Sequence, residues 1–93
     1  MNRPEEPFLQ ILDRRFSQLT PAQKRIAGFL REKYRNAVFM PLAAVARETD
    51  VSEASVVRFA RALGYEGFAD MQSHMQEYVS QTMLSMVERF PLF

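Results

Sequence analysis

The sequence predicts an all-α domain. Apolar residues recur at helical spacing along most of its length, as in Phe8, Ile11, Leu12, Phe16 and Leu19 or Val56, Phe59, Ala60 and Leu63. Helix-start residues stand where those stripes begin, most clearly in Thr20-Pro21-Ala22-Gln23. The chain has 93 residues, 47% of them apolar, with charges breaking the apolar runs every few positions. That length allows one domain able to bury roughly 60–68% of its unfolded surface. No run approaches the roughly 20 apolar residues that span a bilayer. Glu5 and Glu6 do not fit a secretory leader, so the expected compartment is the cytoplasm. The absence of cysteine excludes disulfides and thiolate metal sites.

Residues 1–6 are polar and expected to fray. A first helix is predicted from Pro7 to Leu19, with Asp13, Arg14 and Gln18 on its wet face. In the next helix Thr20 caps, Pro21 takes the first helical position and Gln23 completes a capping box. Its inner line is Ala22, Ile26, Phe29 and Leu30, extending to Lys33 or Tyr34, while Lys24, Arg25, Arg31 and Arg35 lie off that line. From Asn36 to Phe39 the helical period is lost, and Val38 and Phe39 read as buried anchors.

Met40 to Gly64 reads as two short helices joined by a tight turn. The first carries apolar Leu42, Val45 and Ala46, with Pro41 suited to its first position. Asp50 tolerates the left-handed conformation a sharp turn needs, and Val51 can fill the elbow. Ser52 is the N-cap of a second helix running from Glu53 to Leu63 and stopped by Gly64. Val56, Phe59, Ala60 and Leu63 face inward. Glu53, Ala54, Arg58 and Arg61 lie on the other side, with Val57 beside them.

That outer face suits the major groove of DNA. Ala54 permits close approach, and Arg58 can bond bidentately to guanine O6 and N7. The layout is that of a helix-turn-helix, whose second helix reads bases from its N-terminal half. An ordinary helical hairpin with a solvated charged face has the same pattern. Charge distribution favours DNA. Net charge is only +1, yet Arg14 to Arg61 holds ten basic against four acidic residues, and the rest of the chain two against seven.

After the short connection Gly64 to Phe68, in which Tyr65 is expected to pack on the second helix, a last stripe begins. It runs through Phe68, Met71, Met75, Tyr78 and Val79, then Met83, Met86, Val87 and Phe90. The first half closes the core. Beyond about Ser80 an apolar helical tail usually needs a partner: pairing with a second copy would give a homodimer, and the alternatives are a tail folded back on its own domain or a linker whose partner is absent. Catalysis has little support. His74 is the single histidine and reads as a solvent-exposed helical residue, and the carboxylates show no metal-ligand pattern. No cofactor is expected.

The run Val51-Ser52-Glu53-Ala54-Ser55-Val56-Val57-Arg58-Phe59-Ala60-Arg61-Ala62-Leu63-Gly64-Tyr65-Glu66-Gly67-Phe68 resembles the signature of the RpiR family of bacterial transcription regulators. The resemblance extends upstream through Leu19 to Ala27 and covers about Phe8 to Val79. It departs from the family habit at Met40, where a serine or threonine often caps, and Asp50 stands where helix-turn-helix motifs favour glycine. Members usually pair this DNA-binding domain with a sugar-isomerase-type domain that senses a phosphosugar. Nothing in these 93 residues resembles that second domain.

The expectation is an all-α, trihelical, homeodomain-like helix-turn-helix with additional N- and C-terminal helices. The DNA-binding domain would span 1–80, with 81–93 as a helical extension toward an absent sensor. Glu53, Ala54, Ser55 and Arg58 would contact bases, and Ser52, Arg61, Lys24 and Arg25 phosphates. The partner is double-stranded DNA, no membrane is involved, and the resemblance implies target genes of sugar or sugar-phosphate metabolism. A phosphosugar effector would act only through the absent domain. The rival is a helical protein-interaction or dimerisation module without specific DNA binding.

Overall fold

A computed structural model of the chain describes residues 6–77. Those residues form α1 (Phe8–Arg15), α2 (Pro21–Glu32), α3 (Tyr34–Ala37), α4 (Leu42–Thr49), α5 (Glu53–Ala62) and α6 (68–77). No strand occurs among them. The tail from Tyr78 onward, its proposed pairing and the 81–93 extension lie outside the described residues.

The centre is a trihelical unit in which α2 packs across both α4 and α5, and these pack on each other. Ile26, Leu30, Val45, Val56, Phe59 and Leu63 fill the space between them, each 2% exposed or less. α1 and α6 complete the core with Phe8, Ile11, Leu12, Met71 and Met75. The Phe8 ring lies 6.0 Å from Tyr34 and 6.3 Å from Tyr65, so α1 grips the connections on either side of the α4–α5 pair. The Tyr34 hydroxyl donates to the Met75 carbonyl at 2.7 Å, tying α3 to α6. Surface ion pairs Arg14–Glu6 and Arg31–Asp13 add little at this exposure.

The helix ends follow from local chemistry. The capping box of α2 is complete: Thr20 Oγ1 accepts from the Gln23 N–H at 3.2 Å, and Gln23 Oε1 from the Thr20 N–H at 3.0 Å. α4 and α5 both close with Schellman motifs. In α4, Asp50 sits at φ 57°, ψ 46°; its N–H bonds the Arg47 carbonyl and the Val51 N–H the Ala46 carbonyl. In α5, Gly64 at φ 104° plays the same part, with its N–H on Arg61 and the Tyr65 N–H on Ala60. Aspartate is among the few non-glycine residues that tolerate this left-handed turn.

Five expectations need correction. The first helix ends at Arg15, and Phe16–Gln18 continue as one 3-10 turn. Pro41 is the N-cap of α4, extended at φ −70°, ψ 159°, rather than its first helical residue. Phe39 is 72% exposed and anchors nothing. The helical period persists through α3 and the turn after it, so Val38 lies one turn beyond Tyr34 on the buried face. Phe39 falls beyond exposed Arg35 on the outer face. His74 is buried, 8% exposed, because Tyr65 folds down from the α5–α6 connection onto it. The Tyr65 hydroxyl and His74 Nδ1 lie 2.6 Å apart, hydrogen-bonded.

Gly28 sits inside α2, with nothing within 4 Å of where a Cβ would stand. Glycine in a helix interior costs roughly 0.5–1 kcal/mol relative to alanine. Gly28→Ala is therefore expected to raise the melting temperature by about 2–8 °C. A lower melting temperature would mean that α2 needs the glycine backbone.

Candidate nucleic-acid interface

α5 is held at its N-terminus by its own cap, with the turn before it braced from α2, and at its C-terminus by an arginine of α1. At its N-terminus Ser52 Oγ accepts from the Ser55 N–H at 3.1 Å, filling one of the first-turn donors that a helix leaves unpaired. Arg25 of α2 reaches the preceding turn, its Nε and Nη2 each 3.4 Å from the carbonyls of Thr49 and Asp50. Thr49 closes the end of α4 from inside, its buried hydroxyl donating to the Val45 carbonyl at 2.7 Å. At the far end Arg15 of α1 donates to the Ala62 carbonyl at 3.3 Å, and Arg61 Nε to the Glu66 carbonyl at 3.1 Å. The angle between α4 and α5 is thus set by the core and braced by arginines.

The outer face of α5 emerges as the sequence spacing predicts. Ser52, Glu53, Ala54, Arg58 and Arg61 are exposed, and Ser55 and Val57 half-buried. Ala54, Arg58 and Arg61, at i, i+4 and i+7, form one line opposite Val56, Phe59, Ala60 and Leu63, all buried. Arg58 Nη2 bonds Ser55 Oγ at 3.2 Å, and Ser55 Oγ lies 3.0 Å from Ser52 Oγ. Small residues begin the helix and an extended cation follows one turn later, the arrangement a helix needs to enter a groove and bond a base edge.

Lys24 and Arg25 stand apart from this line. They border an open groove between α2 and the end of α4 together with Glu32 and Glu48. The Lys24 ammonium lies 5.4 Å from the Phe16 ring centre, and the Arg31 guanidinium 5.3 Å. An anion there meets three carboxylates, Glu32, Glu48 and Asp50, as well as two cations. Arg25 spends two of its five N–H donors on the turn carbonyls and keeps three.

Sequence reasoning missed the glutamines of α6. Gln72 Nε2 donates to the carbonyls of Met40 at 2.6 Å and Ala37 at 3.3 Å, and Gln76 Nε2 to Val38 at 2.8 Å. They satisfy carbonyls at the end of α3 and fix the entry to α4, which carries no side-chain N-cap. The only signal was their spacing of four on the flank of the Met71–Met75 stripe. Among the described residues, no three His, Cys, Asp or Glu side chains gather as a metal site. None of the described helices is long and apolar enough to cross a membrane.

Two helices joined by a left-handed turn, crossed by a third and presenting a polar outer face, define a helix-turn-helix domain. The family comparison is specific: the rpiR-family helix-turn-helix model matches residues 7–82, and the chain belongs to that family. An HTH-type transcriptional regulator of Providencia stuartii is 42% identical over 50 residues, covering 54% of this chain and 18% of that protein. The bifunctional protein glk of Paraburkholderia xenovorans is 39% identical over 54 residues, covering 58% of this chain; the match spans only 8% of that protein. Among solved structures, Vibrio vulnificus NanR complexed with ManNAc-6P superposes with a TM-score of 0.77 at 26% identity, covering 88% of this chain and 31% of NanR. The N-terminal domain of ybbH from Bacillus subtilis shares the fold, with a TM-score of 0.70 at 22% identity over 74% of this chain and 84% of that domain. The chain is thus a helix-turn-helix domain of the kind found in transcription regulators.

Proposed function

We propose that the chain binds double-stranded DNA sequence-specifically and regulates bacterial genes of sugar or sugar-phosphate metabolism. The observation that carries this is the exposed line Ala54, Arg58 and Arg61 on a helix whose opposite face is fully buried. Arg58 reads a guanine, Ala54 lets the helix approach, and Glu53 accepts from cytosine N4. The sequence offers Ser55 as a further base contact. Ser52, Arg61, Lys24 and Arg25 approach backbone phosphates, which supply much of the affinity. The sugar connection leans on NanR, described in complex with a phosphorylated sugar. Recognition of such an effector belongs to a domain outside these residues. Pairing of the apolar stripe Met83, Met86, Val87 and Phe90 with its copy would make the DNA-bound form a homodimer, whose reading helices would meet half-sites about one helical turn apart.

Selection from random duplex DNA at about physiological salt tests this reading. An enriched inverted repeat is the expected result, and a single unrepeated site would remove the dimer. No enrichment at all would favour a protein-interaction module, for which exposed Phe39 is the natural anchor. The phosphate contacts have their own check. Lys24→Ala is expected to weaken all sequences alike and to lower the salt slope by about one. An unaltered slope would leave Lys24 with its Phe16 contact alone.

A further inference from the structure

We infer that Ser55 is a positioning residue for Arg58 rather than a base reader; this rests on the DNA-binding reading above. A hydroxyl has one proton to give and two lone pairs to fill. A guanidinium only donates, so Ser55 Oγ is the acceptor of the 3.2 Å bond from Arg58 Nη2. Ser52 Oγ already accepts from the Ser55 N–H, and the two serine oxygens stand 3.0 Å apart. Accepting from a cation makes the Ser55 hydroxyl a better donor, which directs its proton to Ser52. Both lone pairs of Ser52 are then filled, and its own proton is left to point outward from an exposed side chain. The run of bonds is Arg58 to Ser55 to Ser52, and the outward donor at its end is Ser52.

Two consequences follow. Ser55 has its proton committed and a lone pair occupied, and it is only half exposed, so its hydroxyl is engaged along the helix rather than toward a base. Arg58 is held by one Nη while its remaining N–H groups stay available to a base edge. An arginine on a helix surface has several rotamers to lose on binding, and a fixed partner one turn back lowers that cost. The spacing of three residues is what brings the two side chains into contact along one helix face. Ser55 thereby sets how sharply Arg58 discriminates, without touching a base itself.

The experiment runs parallel selections from random duplex DNA with the wild type, Arg58→Ala, Ser55→Ala and Ser55→Thr. It adds nuclear magnetic relaxation of the Arg58 Nε–H in each DNA-free protein that retains the arginine. Ser55→Ala is expected to weaken, by about two- to tenfold, the preference at the same base position that Arg58→Ala relaxes. Ser55→Thr, which keeps the hydroxyl, is expected to restore it. The Arg58 order parameter is expected to fall in Ser55→Ala and to recover in Ser55→Thr. Loss of preference at a different base position in Ser55→Ala would make Ser55 a reader and overturn the inference. So would an unchanged order parameter. If the wild type enriches nothing, the DNA-binding reading fails, and the relaxation measurement still decides whether Ser55 holds Arg58.

Discussion

Phe59→Ala is expected to cost about 3–5 kcal/mol of folding stability. The ring is 0% exposed and belongs to the cluster that joins α2, α4 and α5. Its removal loses the transfer energy of the aromatic side chain and leaves a cavity that three helices cannot close without shifting. A domain of this size has on the order of 5–14 kcal/mol in total, so the loss is a large fraction of it. In thermal terms it is about 12–40 °C. DNA binding falls with it, because the outer face of α5 is aimed by the inner one. Phe59→Leu fills most of the space and is expected to lose less. Calorimetry or circular dichroism melting reads both; a wild-type melting temperature for Phe59→Ala would place the ring outside the core.

How much of this was legible in the sequence depends on how far away each residue's partner lies. Val56, Phe59, Ala60 and Leu63 are buried as their spacing predicts, because a helix needs only its own period to choose an inner face. Except at Pro41, the caps are equally readable. Thr20 with Gln23 and Ser52 with its own first turn involve partners three residues away, and Asp50 and Gly64 stand out by their tolerance of a left-handed backbone. The errors lie where partners are distant or where phase matters by one residue. Val38 and Phe39 are both apolar, and only the continuation of α3 decides which one turns inward. His74 looked solvated among polar neighbours, but Tyr65 arrives from nine residues away to bury it. Gln72 and Gln76 find carbonyls 32 to 38 residues back along the chain. The reach of Arg25 to the α4–α5 turn, 24 and 25 residues on, is likewise invisible to spacing, whatever phosphate its remaining donors meet. For the outer face, sequence supplied the residues and their line; the structure adds the Ser52–Ser55–Arg58 contacts, which spacing alone does not distinguish from three independent side chains.

Arg58→Ala is expected to relax specificity at one base position by about 1–3 kcal/mol, or roughly 5- to 150-fold, while leaving the fold intact. The stability half of that expectation follows from position. Arg58 is exposed, its one hydrogen bond is to Ser55, and alanine is at least as good a helix former. The specificity half follows from geometry. A bidentate guanidinium satisfies both acceptors of guanine at once, and no other base pair offers the same two acceptors on its major-groove edge. Removing it leaves those acceptors to water whichever base is present, so the preference disappears at that position and the others keep theirs. Backbone contacts behave differently: losing one lowers affinity for every sequence and reduces the salt slope without reshaping preference. Binding assays on a panel of single-base variants of the selected site, at two salt concentrations, therefore separate the two roles. A flat loss across the panel with a smaller salt slope would move Arg58 to the phosphate contacts and leave Glu53 and Ala54 to carry base reading. An unchanged panel would remove Arg58 from the interface.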